Sequence, residues 1–223
     1  MRNGALGRGD GASVLLLGLS HKTSPVEQRE KAALSEAGTR ALLRDLAASE
    51  AVGEAVVLST CNRTEIYVCS SDPARAEDVV AGSLVAHTTI APHELACARY
   101  LLRDDRAATQ LFRVASSLDS MVVGESEIQG QVRAAWRVAA QEGASGPILD
   151  RLFRQALEVG KQVRSATRIG AGSASVSTAA VDLAEQVLDD LPGRRVLVIG
   201  AGPMAETTAL ALVRHGVREV VVA

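Results

Sequence analysis

The sequence predicts an α+β domain, a small sheet with helices, followed by a partial α/β unit of the Rossmann type. Three patterns carry this reading. Short apolar runs with strand character come early in the chain, and apolar residues at helical spacing dominate from Asp104 onward. Near the C-terminus a β-branched run passes directly into a glycine-rich turn and a further helix.

The elements follow in order. Val14 to Leu19 reads as a buried strand, followed by the polar loop Ser20-His-Lys-Thr. Ser24-Pro25-Val26-Glu27 has the form of a capping box with Pro at the first helical position. Leu34 to Ala48 is predicted helical, Ala55 to Ser59 is a second strand, and Thr64 to Ser70 is a third. Asp72-Pro73 opens another helix. Helical stripes then run through Ala108, Leu111 and Ala115, through Ile128, Val132 and Ala139, and through Leu149, Phe153 and Val163. The small-residue stretch Ile169 to Ser175 marks a domain boundary, giving a tail over 1–12 and domains over 13–165 and 172–223. A helix carrying Val176, Val187 and Leu191 is predicted to end at Pro192-Gly193. Val196 to Gly200 and Glu219 to Val222 are strands on either side of a helix reaching about His215.

Composition narrows the function classes. The 223 residues are 47% hydrophobic and 22% charged, as in globular proteins and unlike disordered ones. The Gly-rich start, Met1 to Ala12, reads as a disordered tail, and the first apolar run is too short for a signal or membrane segment. With 26 acidic against 24 basic residues, no bulk charge announces a nucleic-acid partner. Only Lys22, Lys31 and Lys161 among the basic residues are lysine, an Arg bias read as coding composition. Three cysteines, Cys61, Cys69 and Cys97, provide neither a disulfide framework nor a paired metal motif, which points to a reducing, cytoplasmic setting and no metal.

Two segments carry chemistry. Gly200-x-Gly202-x-x-Ala205 lies between a strand and a helix, the setting in which such a turn cradles a pyrophosphate at a helix N-terminus. Cys61, in a polar loop beside Asn62 and Arg63, is the best nucleophile, with the adjacent guanidinium expected to favour its thiolate. Cys69 and Cys97 read as small buried residues. Of the histidines, His21 could line a cleft, whereas His87, His93 and His215 fall at helix ends or on the surface. The run from Ser116 to Val132 is dense in hydroxyls, amides and acids. Capping could explain Asp119, Ser120 and Glu125, and a polar ligand surface is at least as good a reading.

Together these segments resemble glutamyl-tRNA reductase. The resemblance rests on Gly18-Leu-Ser-His-Lys-Thr-Ser-Pro25, Leu58-Ser-Thr-Cys-Asn-Arg-Thr-Glu-Ile-Tyr67, the run Leu111 to Glu125, Gly130-Gln-Val-Arg133, and Val196 to Met204. It implies that Cys61 is the nucleophile and that Thr60, Asn62, Arg63, Ser120, Glu125, Ser126, Glu127 and Gln131 bind substrate, with Arg63 gripping a carboxylate through both arms of its fork. It also implies an NADPH phosphate loop at Gly200, Ala201, Gly202, Pro203, Met204 and Ala205. By the same resemblance, 13–165 is a glutamyl-tRNA-binding catalytic domain and 172–223 is a linker helix with the start of the NADPH domain. The implied reaction forms a cysteine thioester from glutamyl-tRNA(Glu) and reduces it to glutamate-1-semialdehyde, the first step toward tetrapyrroles.

The implied partners are glutamyl-tRNA(Glu), the downstream glutamate-1-semialdehyde aminomutase and a second subunit, with no membrane. The chain departs from the family in three respects. Gln110 stands where the family has His, a position that modulates activity, and an amide cannot exchange a proton near neutrality. Ser117 replaces the usual Gly, a milder change, and Glu127-Ile-Gln-Gly130 replaces Gln-Ile-Leu-Gly, adding negative charge. The rest of the nucleotide domain and the dimerisation domain are expected to lie outside these residues. The alternative reading is therefore a non-reducing fragment that only binds or deacylates glutamyl-tRNA.

Overall fold

The computed structural model describes residues 11–170 and 176–223, so residues 1–10 of the predicted tail over 1–12 and most of the predicted boundary stretch lie outside the described residues. Strands β1 (Ser13–Ser20), β2 (Glu54–Ser59), β3 (Arg63–Ser70) and β4 (Tyr100–Arg103) form an antiparallel sheet in the order β2-β3-β1-β4. Helices α1 (Val26–Ala32), α2 (Glu36–Ala48), α3 (Pro73–His87) and α4 (Pro92–Ala98) are interleaved with these strands, and α5 (Asp105–Ala115), α6 (Glu127–Gln141) and α7 (Pro147–Ala166) follow them. Helices α2 and α3 cover one side of the sheet and α5, α6 and α7 the other. The centre of the sheet is therefore buried on both faces: every residue of β3 is buried, the polar ones included.

The four-stranded sheet and its helices share one core, centred on Leu15, Leu17, Val56, Ile66, Leu111 and Phe153. The Tyr67 ring meets Phe153 of α7 edge-on, with centroids 5.3 Å apart. Glu54, at the start of β2, accepts from the backbone N–H groups of Ile148 and Leu149 at 3.1 and 2.6 Å, which caps α7 with a carboxylate where the helix dipole favours one.

Beyond α7 and a 3-10 turn at Arg168–Gly170 come α8 (Val176–Val187), β5 (Arg195–Val198), α9 (Pro203–Arg214) and β6 (Glu219–Val222). Strands β5 and β6 pair in parallel, the β-α-β arrangement predicted from the glycine-rich turn. A second, smaller core of Val181, Leu191, Ala211, Leu212 and Val217 packs against Val196, Val198 and Val220. The opposite strand face carries the register pair Leu197 and Val221, both exposed.

Several local expectations are corrected. The Ser24 capping box does not form: the Ser24 hydroxyl donates to the Ser20 carbonyl at 3.1 Å, and Pro25 is the N-cap. The next helix begins at Glu36 rather than Leu34, because the Ser35 hydroxyl caps it by accepting from Gly38 N–H at 3.1 Å. Helix α4 and strand β4 were not anticipated. Cys97 is exposed, since α4 buries Leu95 and Ala98 and turns Cys97 outward. Helix α8 stops at Val187, short of Pro192.

Candidate functional site

Strand alternation puts Arg63, Glu65 and Tyr67 on one face of β3, facing α5 and α7. Register sets Glu65 opposite Gly18 of β1, which in turn lies opposite Tyr100 of β4. Gly18 has no side chain, so the Tyr100 ring crosses over it and its hydroxyl donates to Glu65 Oε1 at 2.5 Å. A Cβ at Gly18 would lie 2.5 Å from the ring carbon Cζ. Glu65, fully buried, also accepts from Tyr67 Oη at 2.6 Å and Arg63 Nη1 at 2.9 Å.

Asp119 completes this network. It accepts from Arg63 Nη1 at 3.0 Å and from Lys22 Nζ, while its backbone carbonyl accepts from Arg63 Nη2. Gln110 donates Nε2–H to both carboxylates, to Glu65 Oε1 at 3.2 Å and Asp119 Oδ2 at 2.9 Å. Burial pushes the Asp119 carboxyl up, and the hydrogen bonds from Lys22, Gln110 and Arg63 outweigh it, bringing the pKa down to about 2. Two carboxylates are thus held against one buried guanidinium and one surface ammonium, with their oxygens hydrogen-bonded as buried charge requires.

This network lies beneath a small cavity of about 140 Å³ lined by Thr60, Cys61, Asn62 and Arg63 from the β2–β3 loop, Ser120, Met121 and Glu125 from the loop before α6, and Glu127, Ile128 and Gln131 of α6. Val176 and Met204 complete it. Cys61 is exposed while Ser120 is buried, and the Ser120 hydroxyl has no partner among the described residues. An unpaired buried hydroxyl costs stability unless a ligand satisfies it. Of the substrate positions predicted, Ser126 alone does not line the cavity; it is the exposed N-cap of α6 and makes no side-chain cap bond.

Two expectations about chemistry change. Arg63 is not a free fork beside the thiol: it is 2% exposed and its guanidinium is bound to Glu65 and Asp119. The Cys61 thiol is pushed up, not down, chiefly by burial and next by the charges of Glu125 and Glu127. The cation that does favour its thiolate is Arg29 of α1, whose Nη1 donates to Ser24 O at 2.7 Å and whose buried Nε has no partner among the described residues. His21 adjoins the same loop, its backbone N–H donating to the Asn62 carbonyl at 2.9 Å. Burial first and then Arg63 lower its pKa, so its imidazole is neutral at neutral pH.

Asp119 is a network carboxylate and not a helix cap, because α6 starts only at Glu127. Ser117 is not a mild exchange for Gly: it has a positive φ of 59° and is fully buried. Its hydroxyl donates to Glu125 O at 2.7 Å and accepts from Arg164 Nη1 at 3.3 Å. Sequence reasoning missed Glu65, Tyr100, Lys22 and Arg29. The available signal was Glu65, a carboxylate inside a predicted strand beside the run Ile66-Tyr-Val-Cys69.

The glycine-rich turn has the geometry expected of a phosphate cradle. Gly200 takes φ +114°, and a Cβ at Gly200 or Gly202 would meet nothing within 4 Å, so open space faces the turn at the start of α9. A cavity of about 590 Å³ lies there, lined by Ala201, Gly202, Ala205 and Glu206 among others. These residues fit a dinucleotide pyrophosphate. Met204 instead faces the Cys61 cavity, which puts the turn and the thiol around adjoining spaces. Among the described residues there is no cluster of potential metal ligands and no helix long and apolar enough to cross a membrane.

Comparison with known proteins agrees with this architecture. Residues 17–167 match the family described as "Glutamyl-tRNAGlu reductase, N-terminal domain", and 182–223 match "Shikimate / quinate 5-dehydrogenase". The chain is 46% identical over 211 residues to a protein of Rubrobacter xylanophilus named glutamyl-tRNA reductase, covering 94% of this chain and 49% of that one. It is 43% identical to a protein of the same name from Pelobacter propionicus, covering 95% and 48%. The structure of glutamyl-tRNA reductase from Methanopyrus kandleri superposes with a TM-score of 0.64 at 37% identity, covering 96% of this chain and 49% of that chain. The chain thus spans about half the length of the curated relatives it matches.

Proposed function

The chain belongs to the glutamyl-tRNA reductase family, and from that premise we propose that Cys61 attacks the aminoacyl ester of glutamyl-tRNA(Glu), the opening of its reduction to glutamate-1-semialdehyde for tetrapyrrole synthesis. The Cys61 sulfur bonds to the ester carbonyl carbon, the carbon–oxygen bond to the ribose breaks, and the tRNA hydroxyl leaves with a proton. A glutamyl thioester remains on Cys61. NADPH, held by Gly200, Ala201, Gly202, Pro203, Met204 and Ala205, would supply the hydride that takes such a thioester to the aldehyde.

The chain's own residues divide the remaining work. Glu125 and Glu127 are suited to the substrate ammonium, and Ser120 and Gln131 to its polar oxygens, while Thr60 and Asn62 shape the loop that presents the thiol. Ser126, outside the cavity, is proposed only to start α6. Arg63 is proposed as a positioning residue that ties the Cys61 loop to Asp119 and so to Ser120. The partly unpaired Arg29 is the better candidate for the substrate carboxylate.

The observation that carries this reading is the cavity in which an exposed thiol meets a buried, unpartnered Ser120 hydroxyl. Glutamyl-tRNA labelled in the amino acid should transfer label to the full chain as a hydroxylamine-sensitive adduct on Cys61. Cys61→Ser should abolish the adduct; undiminished loss of the glutamyl group from tRNA with that variant rules the assignment out.

A further inference from the structure

The loop over 116–126, between α5 and α6, carries Ser120, Met121 and Glu125 into the Cys61 cavity, and its two ends are tied to each other. Gly124 N–H donates to Ser117 O at 3.1 Å, and the Ser117 hydroxyl donates to Glu125 O at 2.7 Å. Closing this ring puts Ser117 at φ 59°, a conformation that costs a non-glycine residue energy and persists only where its surroundings hold it. A further tie comes from outside the loop. Arg164, half-buried in the last turn of α7, donates from Nη1 to Glu125 O at 2.8 Å and to Ser117 Oγ at 3.3 Å. It has no ion-pair partner among the described residues, so its guanidinium is directed at these two neutral oxygens. Helix α7 is a firm base for it: at Gly160, one turn earlier, a Cβ would lie 2.4 Å from Ala115 O at the end of α5. Just past the helix, Gly124 meets the chain again, where a Cβ would lie 1.9 Å from Ile169 O.

We propose that Arg164 is a positioning residue for the Cys61 site: by gripping the Glu125 carbonyl from α7 it aims the Glu125 carboxylate and, through the same closed loop, the Ser120 hydroxyl into the cavity. Arg164 itself does not line the cavity, so it acts only through the groups it holds. Glu125 is fixed on both sides of its Cα, since its N–H donates to Val122 O at 3.2 Å while Ser117 and Arg164 share its carbonyl. Binding groups need supporting bonds of this kind to stay in register with a substrate. What the aimed groups do to a glutamyl substrate rests on the acyl-transfer reading, whereas the placement of Glu125 beside Cys61 is geometry alone. The thiol reports that placement. Glu125 and Glu127 oppose its ionisation from the loop and from α6, and Arg29 favours it from α1. A Glu125 carboxylate that swings away therefore leaves the thiolate easier to form.

The test is the pH dependence of Cys61 alkylation by iodoacetamide in the full chain, read on the Cys61 peptide by mass spectrometry. Arg164→Ala, and Arg164→Met, which keeps the side-chain stem and loses the donors, should both move the profile to lower pH. In a Glu125→Gln background neither should add a further shift, because both act through the same carboxylate. Arg164→Lys keeps a donor and should return the profile toward that of the unsubstituted chain. Arg154→Ala, exposed on the same helix, should leave the profile unmoved. An unmoved profile in both Arg164→Ala and Arg164→Met, with only thermal stability lowered, overturns the proposal, and so does an equal shift with and without the Glu125 carboxylate. With a small glutamyl ester as acyl donor, the Arg164 variants should need several-fold more ester for half-maximal adduct formation on Cys61. Alkylation shifts as expected in a chain that forms no adduct at all overturn the acyl-transfer reading and leave the placement of Glu125 by Arg164 standing.

Discussion

At the scale of single residues, the Cys61 thiol is an ordinary acid made weaker by its surroundings. Burial comes first and the charge of Glu125 second, so the thiolate fraction is small at neutral pH and the thiol pKa lies above its ordinary 9.0. Alkylation of Cys61 by iodoacetamide should therefore keep accelerating as pH rises through 9, without a plateau below it. Glu125→Gln removes a charge that opposes the thiolate and should move this profile to lower pH; an unmoved profile excludes Glu125 as a cause. Gln110 presents a different case. Its amide donates to Glu65 and Asp119 together at any pH, and an imidazole there could donate to both only when protonated. Two carboxylates would raise the pKa of that imidazole. In Gln110→His the added stability should be fully present below about pH 6 and lost as pH rises through the raised value, a pattern thermal unfolding across pH would reveal. A variant with the pH profile of the unsubstituted chain would show that Gln110 does not bridge the pair.

Among elements, the long periodic ones were legible and the short ones were not. Helices α2, α3, α6 and α7 each carry an apolar stripe several turns long, and β1 to β3 are apolar runs bounded by polar loops. Strand β4 has four residues and exists because β1 offers it an edge, a tertiary cause that four residues cannot announce. The Ser24 capping box is absent because the helix starts one residue later than the motif implies, with Pro25 as its N-cap, and the Ser24 hydroxyl turns back to the loop, where it donates to the Ser20 carbonyl. The row Glu65, Gly18, Tyr100 is equally invisible in sequence, since register alone assembles it. It supports a sharp expectation. Gly18→Ala would drive a Cβ into the Tyr100 ring, displacing its hydroxyl from Glu65, and should cost roughly 3 kcal/mol of stability through overpacking and a lost charge-assisted bond. Tyr100→Phe, which loses the hydrogen bond alone, should cost less in urea unfolding; the reverse order would place the importance of Gly18 elsewhere.

For the whole molecule, motif and fold contributed unequally to the site. The Thr60 to Arg63 loop and the polar residues Ser120, Glu125, Glu127 and Gln131 were readable as a constellation, and the cavity does gather them. The network beneath was not readable, because Lys22, Glu65, Tyr100, Gln110 and Asp119 come from five separate segments and only packing joins them. The two cores differ in a way that predicts dynamics. The first fills both faces of a four-stranded sheet, whereas the second gathers five buried residues beside two parallel strands whose other face leaves Leu197 and Val221 exposed. Parallel strands usually gain their stability by burial on both faces, and local opening is cheapest where few apolar contacts must be broken. In hydrogen exchange on the full chain, amides of β5 and β6 should therefore exchange well before those of β1 and β3. NADPH, if it engages the turn between β5 and α9, should slow exchange there and leave β1 unchanged. Equal protection of the two sheets without nucleotide would mean that the smaller core is stabilised by contacts its own burial does not reveal.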